Sequence, residues 1–176
     1  NNSELESTLV ISGDIGYNAW ADTYEDYKKN TSEAMALELQ SIKDLKATVI
    51  NLEIESLGGD VFHGLAIYSM LKQSGAKINS FYRGANASMS TVIGSVSSVE
   101  DISMDETGLY LIHKPMSYSG GNANDMQNDM NALNKVQKSL ETAYLNLGVS
   151  QESLDDLMER NGGHGEWLTF AEAKEY

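Results

Sequence analysis

Two hydrophobic periods alternate along the chain. The stretch STLVISGDIG carries closely spaced aliphatic and β-branched residues that end in glycine, which predicts a first strand and a turn. TSEAMALELQSIKDL places apolar residues at 35, 39, 42 and 45, one face of an amphipathic helix, with Asn30 and Glu33 spaced as a capping pair. KATVINLEIES is again a β-branched strand, closed by the turn LGG. DVFHGLAIYSMLKQSG is apolar on nearly every side and predicts a buried helix with Asp60 as its N-cap, followed by a strand in AKINSFYR.

Beyond a segment of small residues, VEDISM and GLYLIH predict two short strands. GGNANDMQNDMNALNKVQKSLETAYLNLG predicts one helix of about seven turns at 3.6 residues each. Its Met126, Met130, Leu133, Val136, Leu140 and Tyr144 recur at helical spacing. SQESLDDLMERN and TFAEAKEY predict two more helices, the second opening on a Thr169 to Glu172 capping box. Strands separated by helices pair in parallel through right-handed crossovers, so the expected class is α/β. No repeat or linker divides residues 1–176, and one domain is expected. The helical pattern is still running at Tyr176, so the chain is expected to be truncated at its C-terminus.

Charge narrows the function classes. Against 12 basic residues stand 26 acidic ones, a formal net charge of -14, which repels phosphate backbones and anionic lipid. Neither nucleic acid nor membrane is an expected partner. Cysteine is absent, which removes disulfides, thiolate metal sites and a cysteine nucleophile. The three histidines have no i, i+4 or short-loop pairing with carboxylates, so neither a metal nor a cofactor is expected. No apolar run approaches the roughly 18 residues of a membrane span. The opening residues lack the basic and apolar regions of a signal peptide, and a cytoplasmic location is expected.

Three segments combine reactive side chains with tight backbone. In ESLGGDV a strand ends in Gly58-Gly59 before a helix, a turn that exposes backbone N–H groups suited to an oxyanion and that equally describes a plain turn. In GANASM, Ser88 stands among residues small enough for a helix start to sit close under a strand, with its hydroxyl exposed; a small residue in helix packing fits as well. In LYLIHKP, His113 ends an apolar strand two residues before the single proline, where an imidazole serves either as a general base facing a cleft or as a hydrogen-bonded structural group.

In this order and spacing the three segments resemble the Clp proteolytic-subunit family of serine peptidases, and within it the phage and prophage branch associated with head maturation. The resemblance runs from about Leu9 to Tyr176. GGDVFHGLAIYSML is similar to the family's oxyanion turn and following helix, GANASM to its nucleophile motif, LIHKP to its histidine motif and EWLTFAEAKEY to its closing helix. The resemblance implies a ClpP/crotonase-like fold of repeated β-β-α units with a long protruding helix. It implies Ser88 as nucleophile, His113 as general base, and the N–H groups of Gly59 and Met89 as oxyanion donors. It further implies peptide or unfolded-protein substrates, phage structural proteins among them, bound as an added strand at Gly58-Gly59 and along a strand-like segment after His113. A homo-oligomeric ring follows by family, heptamers stacking into a tetradecamer through the long helix. An ATPase unfoldase or phage capsid proteins would be its partners, in the cytoplasm of a bacterial or phage-infected cell.

Two positions depart from the family pattern. The usual serine-proline-glycine-glycine turn reads Ser56-Leu57-Gly58-Gly59, which keeps both glycines. The position of the triad aspartate falls on Gly165, between His164 and Glu166. Glu166 becomes the candidate acid if the glycine-rich NGGHGEW loop shifts by one residue; otherwise it is an ordinary surface glutamate. Two other classes therefore stay open. A crotonase-like acyl-CoA enzyme shares the core but needs no serine and histidine at these motifs, and a catalytically silent ring subunit or scaffold is supported by Gly165.

Overall fold

The computed structural model describes residues 5–176; residues 1–4, on which part of the leader reading falls, lie outside the described residues. Four parallel strands form the main sheet in the order β1 (Glu6–Ser12), β2 (Val49–Glu55), β3 (Lys77–Tyr82), β5 (Ile102–Met104). Register matches Leu9 to Leu52, Ile11 to Ile54, Ile50 to Ile78 and Ile54 to Tyr82, all of them buried. Because strand side chains alternate, one face collects this core while Val10, Asn51 and Glu53 turn to the other. A second sheet is built from β4 (Ala85–Ala87), β6 (Leu109–Leu111) and β7 (Leu168–Thr169), with β4 and β6 parallel and β7 antiparallel to β6. The arrangement is the expected mixture of parallel strands and covering helices.

The helices follow the hydrophobic pattern, with corrections where tertiary contacts compete. Before α2 (Ser32–Asp44) the predicted capping pair is displaced: Thr31 is the N-cap, its hydroxyl accepting from the Ala34 N–H. Asn30 is buried, and its Nδ2 donates to the carbonyls of Ser12 and Asp14 at 2.7 and 3.0 Å, because the chain leaving β1 needs a donor there. Asp60 caps α3 (Val61–Gln73) as predicted, accepting from the His63 N–H at 2.9 Å. The helix is not apolar-buried all round, however. Gly64, Ile67 and Leu71 form its buried face, and Phe62 is 74% exposed.

The long predicted helix is α5 (Ala123–Leu147), opened by an Asn122–Asp125 capping box. Only Leu140, Ala143 and Tyr144 are buried; Met126 and Met130, at 51% exposure each, leave the first half of the apolar stripe uncovered by this chain. α6 (Gln151–Gly163) loses helical geometry at Arg160, Asn161 and Gly162, and α7 (Phe170–Ala173) opens on the predicted Thr169–Glu172 box. The short α1 (Tyr24–Lys28), β4 and β7 carry too few residues for a period to show. A 3₁₀ turn at Val99–Asp101 shortens the strand predicted at 99, the strand predicted in GLYLIH ends at Leu111, and the segment after His113, expected to be strand-like, has no regular structure as far as residue 120. Among the described residues no helix is long and apolar enough to cross a membrane.

α4 (Met89–Gly94) is buried along its whole length, which answers why this segment is so poor in large side chains. Gly94 lies against the buried Tyr82, where an added Cβ would overlap the phenol oxygen. Tyr82 is pinned by its own bond to the Thr91 carbonyl at 3.0 Å and cannot swing aside. Gly94→Ala is therefore expected to cost about 1–3 kcal/mol of stability, read from denaturant unfolding; a neutral result would mean that the ring has slack.

Candidate active site

Ser88 occupies the single residue between β4 and α4, and its backbone is bent to φ 60°, ψ −128°. That is a conformation L-residues rarely adopt, at a cost on the order of 1–3 kcal/mol, and it survives only when neighbours over-determine it. They do so here. The Ser88 N–H donates to the Leu111 carbonyl at 3.0 Å, and the Ser88 carbonyl accepts from the Thr91 N–H at 3.1 Å and the Thr91 hydroxyl at 2.6 Å. The result is a sharp strand-to-helix turn that lines a cavity of about 280 Å³ shared with Leu57, Gly59, Met89, His113 and Tyr144. Nucleophile elbows use this geometry, although the GxSxG spelling is absent here.

The Gly58-Gly59 turn lies directly against that elbow. A Cβ on Gly58 would stand 2.6 Å from the Ser88 Cβ, so only glycine allows the approach. Ser56 ties the two turns together. Its N–H donates to Asn86 Oδ1 at 3.1 Å, and its carbonyl accepts from the buried Ser90 hydroxyl at 2.7 Å. The strand-like run ahead of α1 supplies the other wall: Ile15 N–H donates to the Gly58 carbonyl at 2.9 Å, and the Ile15 carbonyl accepts from Asp60 N–H at 2.8 Å. Between those two bonds the Gly59 N–H makes no hydrogen bond among the described residues. Met89, as first residue of α4, has an N–H that its own helix leaves unpaired. Two free donors thus flank Ser88.

The histidine arrives through the second sheet. Pairing of Ala87 with Leu111 makes Ser88 and Ile112 leave their strands side by side, and His113 follows into the shared cavity. The acid does not arrive. Gly165, where the family pattern carries aspartate, is buried with φ +72°, and a Cβ there would overlap the Ile112 carbonyl oxygen and lie 3.1 Å from the His113 Cβ. Glu166 is not brought to His113: its carboxylate is exposed and accepts from Arg160 Nη1 at 3.3 Å. The loop is held in that register by Lys114 N–H on the Gly163 carbonyl at 3.1 Å and Asn161 Nδ2 on the Gly165 carbonyl at 2.7 Å. His113 Nδ1 is left buried without a hydrogen-bond partner.

The remaining histidines lie outside this cavity's lining, His164 exposed on the glycine loop and His63 between helices. His63 Nδ1 accepts from the Ser32 N–H at 3.1 Å and so pins the start of α2 to α3. Among the described residues no three His, Cys, Asp or Glu side chains are grouped as metal ligands. The sequence did not single out Asn86, Ser90 or Thr91 as parts of the site. Their signal is polarity at positions that the pattern buries completely.

A family model described as Clp protease matches residues 20–176. The ATP-dependent Clp protease proteolytic subunit of Streptococcus pneumoniae (strain Hungary19A-6) is 32% identical over 155 residues, covering 86% of this chain and 76% of that protein. The protein of the same name from Bacteroides fragilis (strain ATCC 25285) is 30% identical over 152 residues, covering 86% of this chain and 71% of the relative. Subunit 2 from Borreliella burgdorferi is 30% identical over 125 residues, 70% of this chain and 61% of the relative.

The protonation of His113 follows from its surroundings. Burial lowers its pKa from the ordinary value, repulsion from His164 adds to the shift, and the backbone of Lys114 opposes it. A lowered pKa keeps the imidazole neutral, able to accept a proton, further into the acid range than a free histidine at about 6.5. The rate at which a fluorophosphonate labels Ser88 should therefore hold constant on acidification until below that value, then fall. A midpoint at or above about 6.5 would contradict this account of the site.

Proposed function

The chain belongs to the Clp protease family, and on that premise we propose that it is a serine endopeptidase working through an acyl-enzyme on Ser88. Ser88 Oγ attacks the scissile carbonyl while His113 takes its proton; the new oxyanion accepts from the N–H groups of Gly59 and Met89. His113 then returns the proton to the leaving amine, and a water deacylates the serine by the same route. The observation that carries this reading is the strained Ser88 turn, facing His113 and two unpaired N–H groups around one cavity.

His113 works here without a fixed carboxylate. Replacing the triad aspartate by asparagine costs about 10⁴ in turnover in the general case, while the oxyanion hole and binding retain about 10³ to 10⁴ over water. The basal activity of this dyad is accordingly low. Glu166 is the residue that could restore an acid, by leaving Arg160 for His113.

Extended, unfolded peptide is the substrate class, and the resemblance of the motifs to the phage and prophage branch extends it to phage structural proteins. The uncovered Met126 and Met130 face of α5 supports assembly of copies into the ring of the family, with a Clp-type ATPase as the partner that would feed it. Native mass measurement at micromolar concentration should show an oligomer; a monomer would remove the ring.

Labelling separates the readings. A fluorophosphonate adduct on Ser88, lost in Ser88→Ala, supports the peptidase, whereas an unlabelled chain supports a silent subunit or an acyl-CoA enzyme. Glu166→Gln should lower peptidase turnover by less than about tenfold if the dyad acts alone, against about 10⁴ if Glu166 orients His113.

A further inference from the structure

The nucleophile turn is held by a buried hydroxyl chain that none of the catalytic roles uses. The Ser88 carbonyl can only accept, so the 2.6 Å contact from Thr91 Oγ1 takes the single proton of the threonine hydroxyl. The 2.6 Å contact between Thr91 Oγ1 and Tyr144 Oη then has one direction, with Tyr144 donating. Burial raises the Tyr144 hydroxyl well above the ordinary tyrosine value, so it remains a donor throughout the working range. Tyr82, also fully buried, donates to the Thr91 carbonyl at 3.0 Å and fixes the residue from its other side. Each donor in such a chain polarises the next.

We propose that Tyr144 and Thr91 are positioning residues for the nucleophile: a donor relay, Tyr144 to Thr91 to the Ser88 carbonyl, that holds Ser88 in its strained conformation. The proposal rests on the reading of Ser88 as nucleophile. The relay acts on the backbone atom that sets ψ of Ser88, and ψ sets where the residue's carbonyl and the following Met89 N–H point. Removing the relay leaves the Thr91 N–H, at 3.1 Å, as the remaining bond to that carbonyl. A conformation this costly then relaxes toward ordinary backbone, taking the hydroxyl out of line with His113 and the two oxyanion donors. Tyr144 is well placed for the task. It lies in the buried second half of α5 and lines the same cavity as Ser88, yet its hydroxyl is turned away onto Thr91.

The test uses the full chain, labelled at Ser88 with a fluorophosphonate and followed by intact mass, with the inactivation rate separated from the binding constant of the probe. Tyr144→Phe removes one oxygen and keeps the ring in place; Thr91→Val removes the hydroxyl and keeps the shape. Each should slow inactivation by about tenfold with probe binding unchanged, as loss of about one hydrogen bond's worth of positioning. The double variant should be no slower than Thr91→Val alone, because both act through one bond. Thr91→Ser should return most of the lost rate. Unchanged inactivation in folded Tyr144→Phe and Thr91→Val would overturn the relay and leave the peptidase intact. So would a failure of Thr91→Ser to recover the rate that Thr91→Val loses. A wild-type chain that takes up no label on Ser88 overturns both.

Discussion

Everything at this site depends on one unfavourable backbone conformation. A serine held at φ 60° cannot be a product of local preference, because its own side chain disfavours that region. The strain is instead distributed over three separate parts of the fold: the Ala87–Leu111 pairing of the second sheet, the Thr91 contacts from the first turn of α4, and the Ser56 bridge to the glycine turn. Ala87, Thr91 and Ser56 are all buried and hydrogen-bonded, which makes an alternative arrangement expensive. The small residues of GANASM follow from this. They are what lets a sheet edge, a helix start and a glycine turn come within contact of one residue.

The same crowding accounts for the missing acid. In this chain the backbone of residue 165 is pressed against the strand end that carries His113, so closely that no side chain fits. Burial favours the neutral imidazole, which would suit the proposed base, and Glu166, the candidate carboxylate, is held on Arg160 rather than beside it. Proton acceptance is thus prepared for and charge stabilisation is not. On the proposed mechanism, the oxyanion donors and alignment would have to supply most of the rate.

The uneven burial of α5 belongs to a different scale. Its second half is packed beneath the site through Leu140, Ala143 and Tyr144, while its first half carries methionines into solvent on a chain that is otherwise strongly acidic. Met126 and Met130 thus leave an exposed apolar face on α5, of the kind that serves as an interaction surface.

The sequence by itself determined the order of the longer strands and helices, the caps at Asp60 and Thr169, and the three motifs around Ser88, His113 and Gly58-Gly59. These are legible because periodicity, capping chemistry and glycine turns act over a few neighbouring residues. Tertiary structure alone decided the rest. Asn30 was drawn from a cap to the end of β1, Phe62 was left in solvent, the segment after His113 stayed irregular, and Glu166 was taken by Arg160. It also made a tyrosine of α5 the donor behind a threonine of α4, 53 residues apart. Contacts of that kind depend on which elements pack together, and no local spacing along the chain encodes which buried polar group will find which partner.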